Sequence, residues 1–325
     1  MKNRIFVIII LVLIMTVLYS CAKNTDANVV STKGAADSKI SIVTTTFPSY
    51  DFARAVAGDY ADIEMLIKPG AEVHSFEPTP ADIITIENAD LFIYIGGESE
   101  VWVEELLESA EIEGVKTLRL MDYVDTVDEE LVEGMMSDKE HEAGQEEEES
   151  ESDEHIWTSP GNAILLVEAV GKAIRAIEPG NNEIFLKNEE DYIAEIKAID
   201  KEIQEIVNNA KRKILVFGDR YPFRYFSDAY GLSYRAAFSG CSSDTEADAA
   251  TMAYLINLIN DRDIPYLFYI ELSNQKVAQA LSEQTGVEML LLHSCQNVTK
   301  DEFEAGETYV SIMSQNAENL RKGLN

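Results

Sequence analysis

Positive charge is what this sequence most lacks. Its 325 residues carry 26 lysines and arginines against 59 aspartates and glutamates, a formal charge of −33 and an isoelectric point near 4.3. A nucleic-acid partner would have to be approached against strong like-charge repulsion, so that class is excluded. Histidine and cysteine are also scarce, four and three in the whole chain, and each can be weighed individually. No HExxH occurs and no serine or cysteine nucleophile motif accompanies the histidines, which argues against a zinc hydrolase and for a protein that performs no chemistry. Apolar residues are plentiful at 46%, with 9% aromatic. Global disorder is therefore excluded, and the length suits about two domains.

A long apolar run stands at the N-terminus. Lys2 and Arg4 precede Ile5 to Leu18, the layout of a secretory signal over residues 1–20. Leu18-Tyr19-Ser20-Cys21 resembles the bacterial lipobox, which implies lipidation of Cys21 and an anchor on the extracytoplasmic face of the cell membrane. Residues 21–38 are small and polar, a flexible tether. Cleavage would leave 24 basic side chains against 59 acidic ones, a charge of −35. Cys241 and Cys295 remain. An even pair in an oxidising compartment is expected as a disulfide; the competing reading makes one or both of them soft metal ligands, Cys295 lying two residues from His293.

Beyond the tether, strands and helices alternate. Strands are expected at 40–46, 63–67, 91–95 and 115–120, with helices at 49–56, from Pro80 to near Asn88, and at 101–109. Thr79-Pro80-Ala81-Asp82 supplies an N-cap, a proline in the first turn and an acid behind it. Residues 137–154 hold ten acids against one lysine and read as a solvated loop, a weak cation trap beside His155 with His141 inside it. Ser159-Pro160 caps a helix at about 161–177. Tyr192, Ile196, Ile199, Ile203 and Ile206 form one apolar stripe along a helix at about 182–210, some 40 Å long at roughly 1.5 Å per residue. Alternation then resumes with strands at 214–217, 234–238, 266–270 and 288–292 and helices at 222–230, 245–260 and 273–285. The expectation is α/β: two Rossmann-like parallel-sheet lobes, 39–180 and 212–325, joined by one long backbone helix at 181–211.

Ligands of open parallel sheets bind beyond the carboxyl ends of the strands. His74, Asp219 with Arg220, Glu271 and His293 fall there, and His155 approaches a capped helix. Imidazoles with nearby carboxylates are a ligand set for divalent zinc or manganese. The candidate metal residues are His74, His155, His293, Asp219 and Glu271.

Gly70-Ala71-Glu72-Val73-His74-Ser75-Phe76-Glu77-Pro78 resembles the first metal-histidine motif of the zinc/manganese solute-binding lipoproteins of bacterial ABC transporters, the cluster A-I, zinc-uptake-like family. His155-Ile156-Trp157-Thr158-Ser159-Pro160 resembles the second. Phe223-Arg224-Tyr225-Phe226 with Tyr230-Gly231-Leu232 is similar to the segment after the third ligand, and Gly240 to Glu246 to the following loop. The resemblance, from about Ile40 to the C-terminus, implies a metal held between the lobes and delivery by a monomer to a membrane permease. It places Arg220, which cannot lose its proton to ligate, at the third ligand position and His293 at the fourth. Asp219, Glu271 or water would complete the set of His74, His155 and His293, and Arg220 would pair with Glu271 or Asp219. Three imidazoles favour zinc over manganese. A manganese or iron carrier and a metal-dependent surface adhesin are the alternatives.

Overall fold

Capping boxes and glycine stops show how local sequence sets the frame of the computed structural model, which describes residues 39–108, 114–136, 152–242 and 246–325. Strand β1 (Ile40–Thr44) leads into helix α1 (Phe47–Ala57), started by a Thr46/Ser49 capping box and stopped at Gly58, whose φ of 54° suits glycine. Strand β2 (Ala61–Met65) follows, and α2 (Pro80–Glu87) begins at the Thr79/Asp82 capping box that the sequence announces. Strand β3 (Leu91–Tyr94), α3 (Val101–Glu108) and β4 (Lys116–Arg119) complete a parallel sheet of order β2-β1-β3-β4. Helix α4 (Pro160–Ile177) and the 27-residue α5 (Asn182–Asn208) come next.

The second half repeats the alternation. Strands β5 (Ile214–Val216) and β6 (Ser233–Arg235) pair in parallel around α6 (Arg224–Tyr230). After α7 (Ala249–Asp261), β7 (Tyr266–Tyr269) and β8 (Glu288–Leu291) pair in parallel across α8 (Lys276–Thr285). An isolated parallel bridge between Phe217 and Phe268 links the two strand pairs. The molecule is α/β with parallel sheets and one long helix, as expected.

The stripe on α5 is buried from Tyr192 to Ile206 and belongs to one apolar cluster that includes β1, α1, α4, α6 and the C-terminal helix. That last helix, α10 (Tyr309–Gly323), and the short α9 (Lys300–Ala305) before it were not anticipated. They bring the C-terminal segment against α1. Fully buried Asp51 on α1 accepts the Tyr309 N–H at 2.8 Å and the Tyr192 hydroxyl, and pairs with Arg54. Residues Lys39–Asn325 make up one compact unit.

The signal, Cys21, the tether, residues 137–151 with His141, and the start expected for α7 lie outside the described residues. The end of the acidic run does not. Asp153 and Glu154 are buried, contrary to a wholly solvated loop, because Asp153 donates its N–H to the Val127 carbonyl and Tyr225 holds its carbonyl.

Candidate metal centre

His74 stands in the loop after β2, a loop tied to the far end of the chain. Gly70 donates its N–H to the Val298 carbonyl, and the Asn297 amide donates to the carbonyls of Lys68 and Ala71. The imidazole is braced at both nitrogens: Nδ1 lies 2.8 Å from the Ser99 hydroxyl and Nε2 3.2 Å from the Gln296 amide nitrogen. The amide donates to Nε2, so the neutral ring carries its proton on Nδ1 and gives it to Ser99. Ser99 in turn donates to Glu154 Oε1 and offers its own N–H to Oε2 at 3.0 Å. Burial, then the charges of His155 and Arg220, push the His74 pKa down to about 4 against the pull of Glu154 and Glu72. The ring is therefore neutral at pH 7, and its one lone pair, on Nε2, is held by the Gln296 amide, which must turn away before that nitrogen can ligate.

His155 is fully buried at the mouth of α4. Its Nδ1 donates to Asp153 Oδ1 at 3.0 Å, and the same oxygen accepts its backbone N–H at 2.8 Å. Nε2 is buried without a hydrogen-bond partner, and the ring centroid lies 5.8 Å from that of His74. Carboxylate behind, free nitrogen in front is how ligating histidines are usually oriented. Burial pulls the ring's pKa down, but Asp153, Glu154 and Glu129 outweigh it and the net shift is upward. The motif is anchored by Trp157, whose indole N–H reaches the Ser294 carbonyl at 2.7 Å, and by the Tyr309 hydroxyl on the Trp157 carbonyl. Two glycines permit the crowding. A Cβ at Gly97 would sit 2.3 Å from Glu154 atoms, and one at Gly240 3.2 Å from His155 Cε1.

One ligand atom each from His74, Glu154 and Cys241 lies within 4.8 Å of the other two. Glu154 was not singled out as a metal ligand from the sequence, and Cys241 was raised as one only in the alternative to a disulfide. Glu154 is one of ten acids in a run, and its adjacency to His155 was the one available signal. Cys241 was assigned to a disulfide with Cys295, and the structure corrects this: both are free thiols. Cys241 faces the His74 cluster, whereas Cys295 is sealed into the main apolar core. Burial, then the surrounding carboxylates beginning with Glu154, push the Cys241 thiol pKa well up.

None of the other expected ligands belongs to the group of His74, Glu154 and Cys241. Asp219 shares with His74 the wall of a cavity of about 410 Å³, but its carboxylate is occupied by the N–H groups of Arg220 and Ile270; burial raises its pKa. Arg220 does not pair through its guanidinium with Glu271 or Asp219 as expected. It spans the cavity to Glu72 at 3.3 and 3.4 Å and donates to the Ser242 carbonyl. Glu271 accepts the Ser294 N–H at 2.7 Å and stands 3.5 Å from His293 Nδ1. That Nδ1 accepts the Cys295 N–H at 2.9 Å, so the neutral ring's proton is on Nε2, facing Glu302 at 3.9 Å. His293 thus has contacts with Glu271, Glu302, Cys295 and Asn316, and none among the described contacts with His74 or His155.

Residues 42–323 match the family described as ZnuA, zinc-uptake complex component A, periplasmic. The chain belongs to this family. ZnuA-family relatives include the zinc-binding lipoprotein AdcA of Streptococcus pneumoniae, 36% identical over 293 residues, which cover 90% of this chain and 57% of AdcA. The chain thus spans little more than half of that relative. The high-affinity zinc uptake system protein ZnuA of Bacillus subtilis is 32% identical over 300 residues, 90% of this chain and 91% of that one. The solved Zn(II)-bound ZnuA-like domain of Streptococcus pneumoniae AdcA superposes with a TM-score of 0.72 at 32% identity, covering 88% of this chain and 99% of that domain. ZnuA-family proteins bind and transport metal without catalysing a reaction. Among the described residues no helix is long and apolar enough to cross a membrane.

Proposed function

We propose that this chain is the lipid-anchored, extracytoplasmic solute-binding component of a zinc-uptake ABC system, capturing zinc as cargo and handing it to a permease. The observation that carries this is the convergence of His74 and Glu154 beside a buried His155 whose Nε2 has no partner. His74 comes from the loop after β2 and His155 from the mouth of α4. The residues 39–180 and 212–325 serve as the two walls and the 181–211 segment as their spine, in a monomer anchored through Cys21. A tetrahedral zinc with bonds of about 2.0–2.3 Å places its ligand atoms roughly 3.5 Å apart. Ligand atoms of His74, Glu154 and Cys241 already lie within 4.8 Å of one another, so a shift of about an ångström would bring them to that spacing.

Within this reading His74 and His155 are ligands, Asp153 and Ser99 orient them, and Glu154 supplies a carboxylate. His293 and Glu271 stabilise each other, and Asp219 holds the turn after β5. The test is elemental analysis of the full, detergent-solubilised chain with competition titration of zinc and manganese. One tight zinc per chain, lost in His155→Ala, is expected. Tight manganese with weak zinc would overturn the cargo assignment. Loss of all binding on removing residues 137–151 would instead favour a loose acidic surface, as in an adhesin.

A further inference from the structure

Resting on that zinc-capture reading, we infer that Cys241 is itself a metal ligand, a thiolate that makes the site selective for borderline-soft divalent ions over manganese. The thiol is free and is one of three side chains whose ligand atoms fall within 4.8 Å of one another. A histidine, a carboxylate and a cysteine so grouped form a mixed N/O/S set that zinc, cadmium and cobalt accept. Manganese prefers oxygen.

Three contacts hold the cysteine in place. Its backbone N–H is bound by Glu129 Oε1 at 3.1 Å. Gly240 beside it packs so closely on the Tyr221 carbonyl and His155 Cε1 that a Cβ would stand 3.1–3.2 Å from both. On the other side, Arg220 donates to the Ser242 carbonyl at 3.3 Å while its guanidinium also reaches Glu72. The loop after β6 is thereby pinned from both directions with Cys241 toward His74. Arg220, which cannot ligate, instead helps to fix the loop that carries a group that can.

Cobalt replacing zinc in the full, detergent-solubilised chain reports the ligand directly. The wild type should show visible ligand-field bands together with a near-ultraviolet thiolate-to-cobalt charge-transfer band. Cys241→Ser should keep the ligand-field bands and lose the charge-transfer band, and its preference for zinc over manganese should fall by about tenfold or more. Cys295→Ser should leave both bands intact. A wild-type cobalt complex without the charge-transfer band, or a band that survives in Cys241→Ser, overturns the inference while leaving zinc capture standing. Absence of any bound cobalt or zinc would overturn both. Should Cys241→Ser fail to fold, zinc-edge X-ray absorption on the wild type decides: a sulfur neighbour at about 2.3 Å supports the thiolate, and a shell of only nitrogen and oxygen refutes it.

Discussion

Glu100 is a carboxyl group that costs the fold stability at neutral pH, and its replacement by glutamine should show how much. The side chain is buried at the start of α3, with Gly96 donating its N–H to Oε2 at 2.7 Å. Burial raises its pKa to about 7, and the charge of Glu154 adds to the effect against the Gly96 bond. The folded chain therefore holds this proton more tightly than the unfolded chain does. Stability falls as pH climbs from about 4.5 to about 7 and is level beyond. At about 1.4 kcal/mol per pKa unit, a fully ionised Glu100 costs roughly 3 kcal/mol. Glutamine keeps an acceptor for Gly96 and carries no charge. Urea denaturation of metal-stripped wild type and Glu100→Gln across this pH range is the assay; stripping removes stabilisation by bound ion. The two should coincide near pH 4 and diverge above pH 7, the variant being more stable by up to roughly 3 kcal/mol. Parallel curves, or a variant less stable at pH 8, would refute the reasoning.

Two further outcomes follow from the same contacts. Asp153→Ala should lower zinc affinity about 10- to 100-fold in competition titrations by releasing the His155 tautomer, with one site per chain retained. His293→Gln should leave zinc stoichiometry unchanged but alter the pH dependence of unfolding. Burial lowers the His293 pKa, but Glu271 and Glu302 raise it further, so its net stabilisation is present below about 6.5 and is lost as pH rises through the raised value. His293 holds the Glu302 pKa at about 2, so that contribution is present above about 4.5 and is lost as pH falls toward 2. The variant's deficit should accordingly be greatest between about pH 4.5 and 6.5.

The fold was legible where local chemistry acts alone. Thr79-Pro80-Ala81-Asp82 forms the expected capping box, and the isoleucine stripe of α5 is buried as its spacing implies. Helix α10 carries a comparable stripe at Tyr309, Ile312, Met313, Ala317 and Leu320, interrupted by buried Asn316 and Asn319. Those amides are spent on distant backbone. Asn316 bonds both the N–H and the carbonyl of His293, and Asn319 the carbonyl of Leu291. Such pairings are invisible along one helix.

The site was half legible for the same reason. His74 and His155 come together through loops whose position after strands and before a capped helix is a local signal. Residue type alone could not place the rest. Glu154 owes its place beside His74 to Gly97 and Ser99, 55 or so residues earlier, which draw one acid of a long run inward. Counting cysteines suggested a bridge, but pairing needs proximity, and Cys295 is enclosed by the core while Cys241 faces the histidines. His293 has the right chemistry and a buried Nε2 without a hydrogen-bond partner, but the Cys295 N–H on Nδ1 keeps the neutral ring's proton on that Nε2, and no described contact joins it to His74 or His155.

The central claim is that zinc sits with His74 and His155. Anomalous diffraction at the zinc edge from crystals of the zinc-loaded chain tests it most directly. One peak within about 2.0–2.3 Å of a nitrogen of each histidine is the predicted result. A peak between His293 and Glu271, with none beside His74, would contradict it.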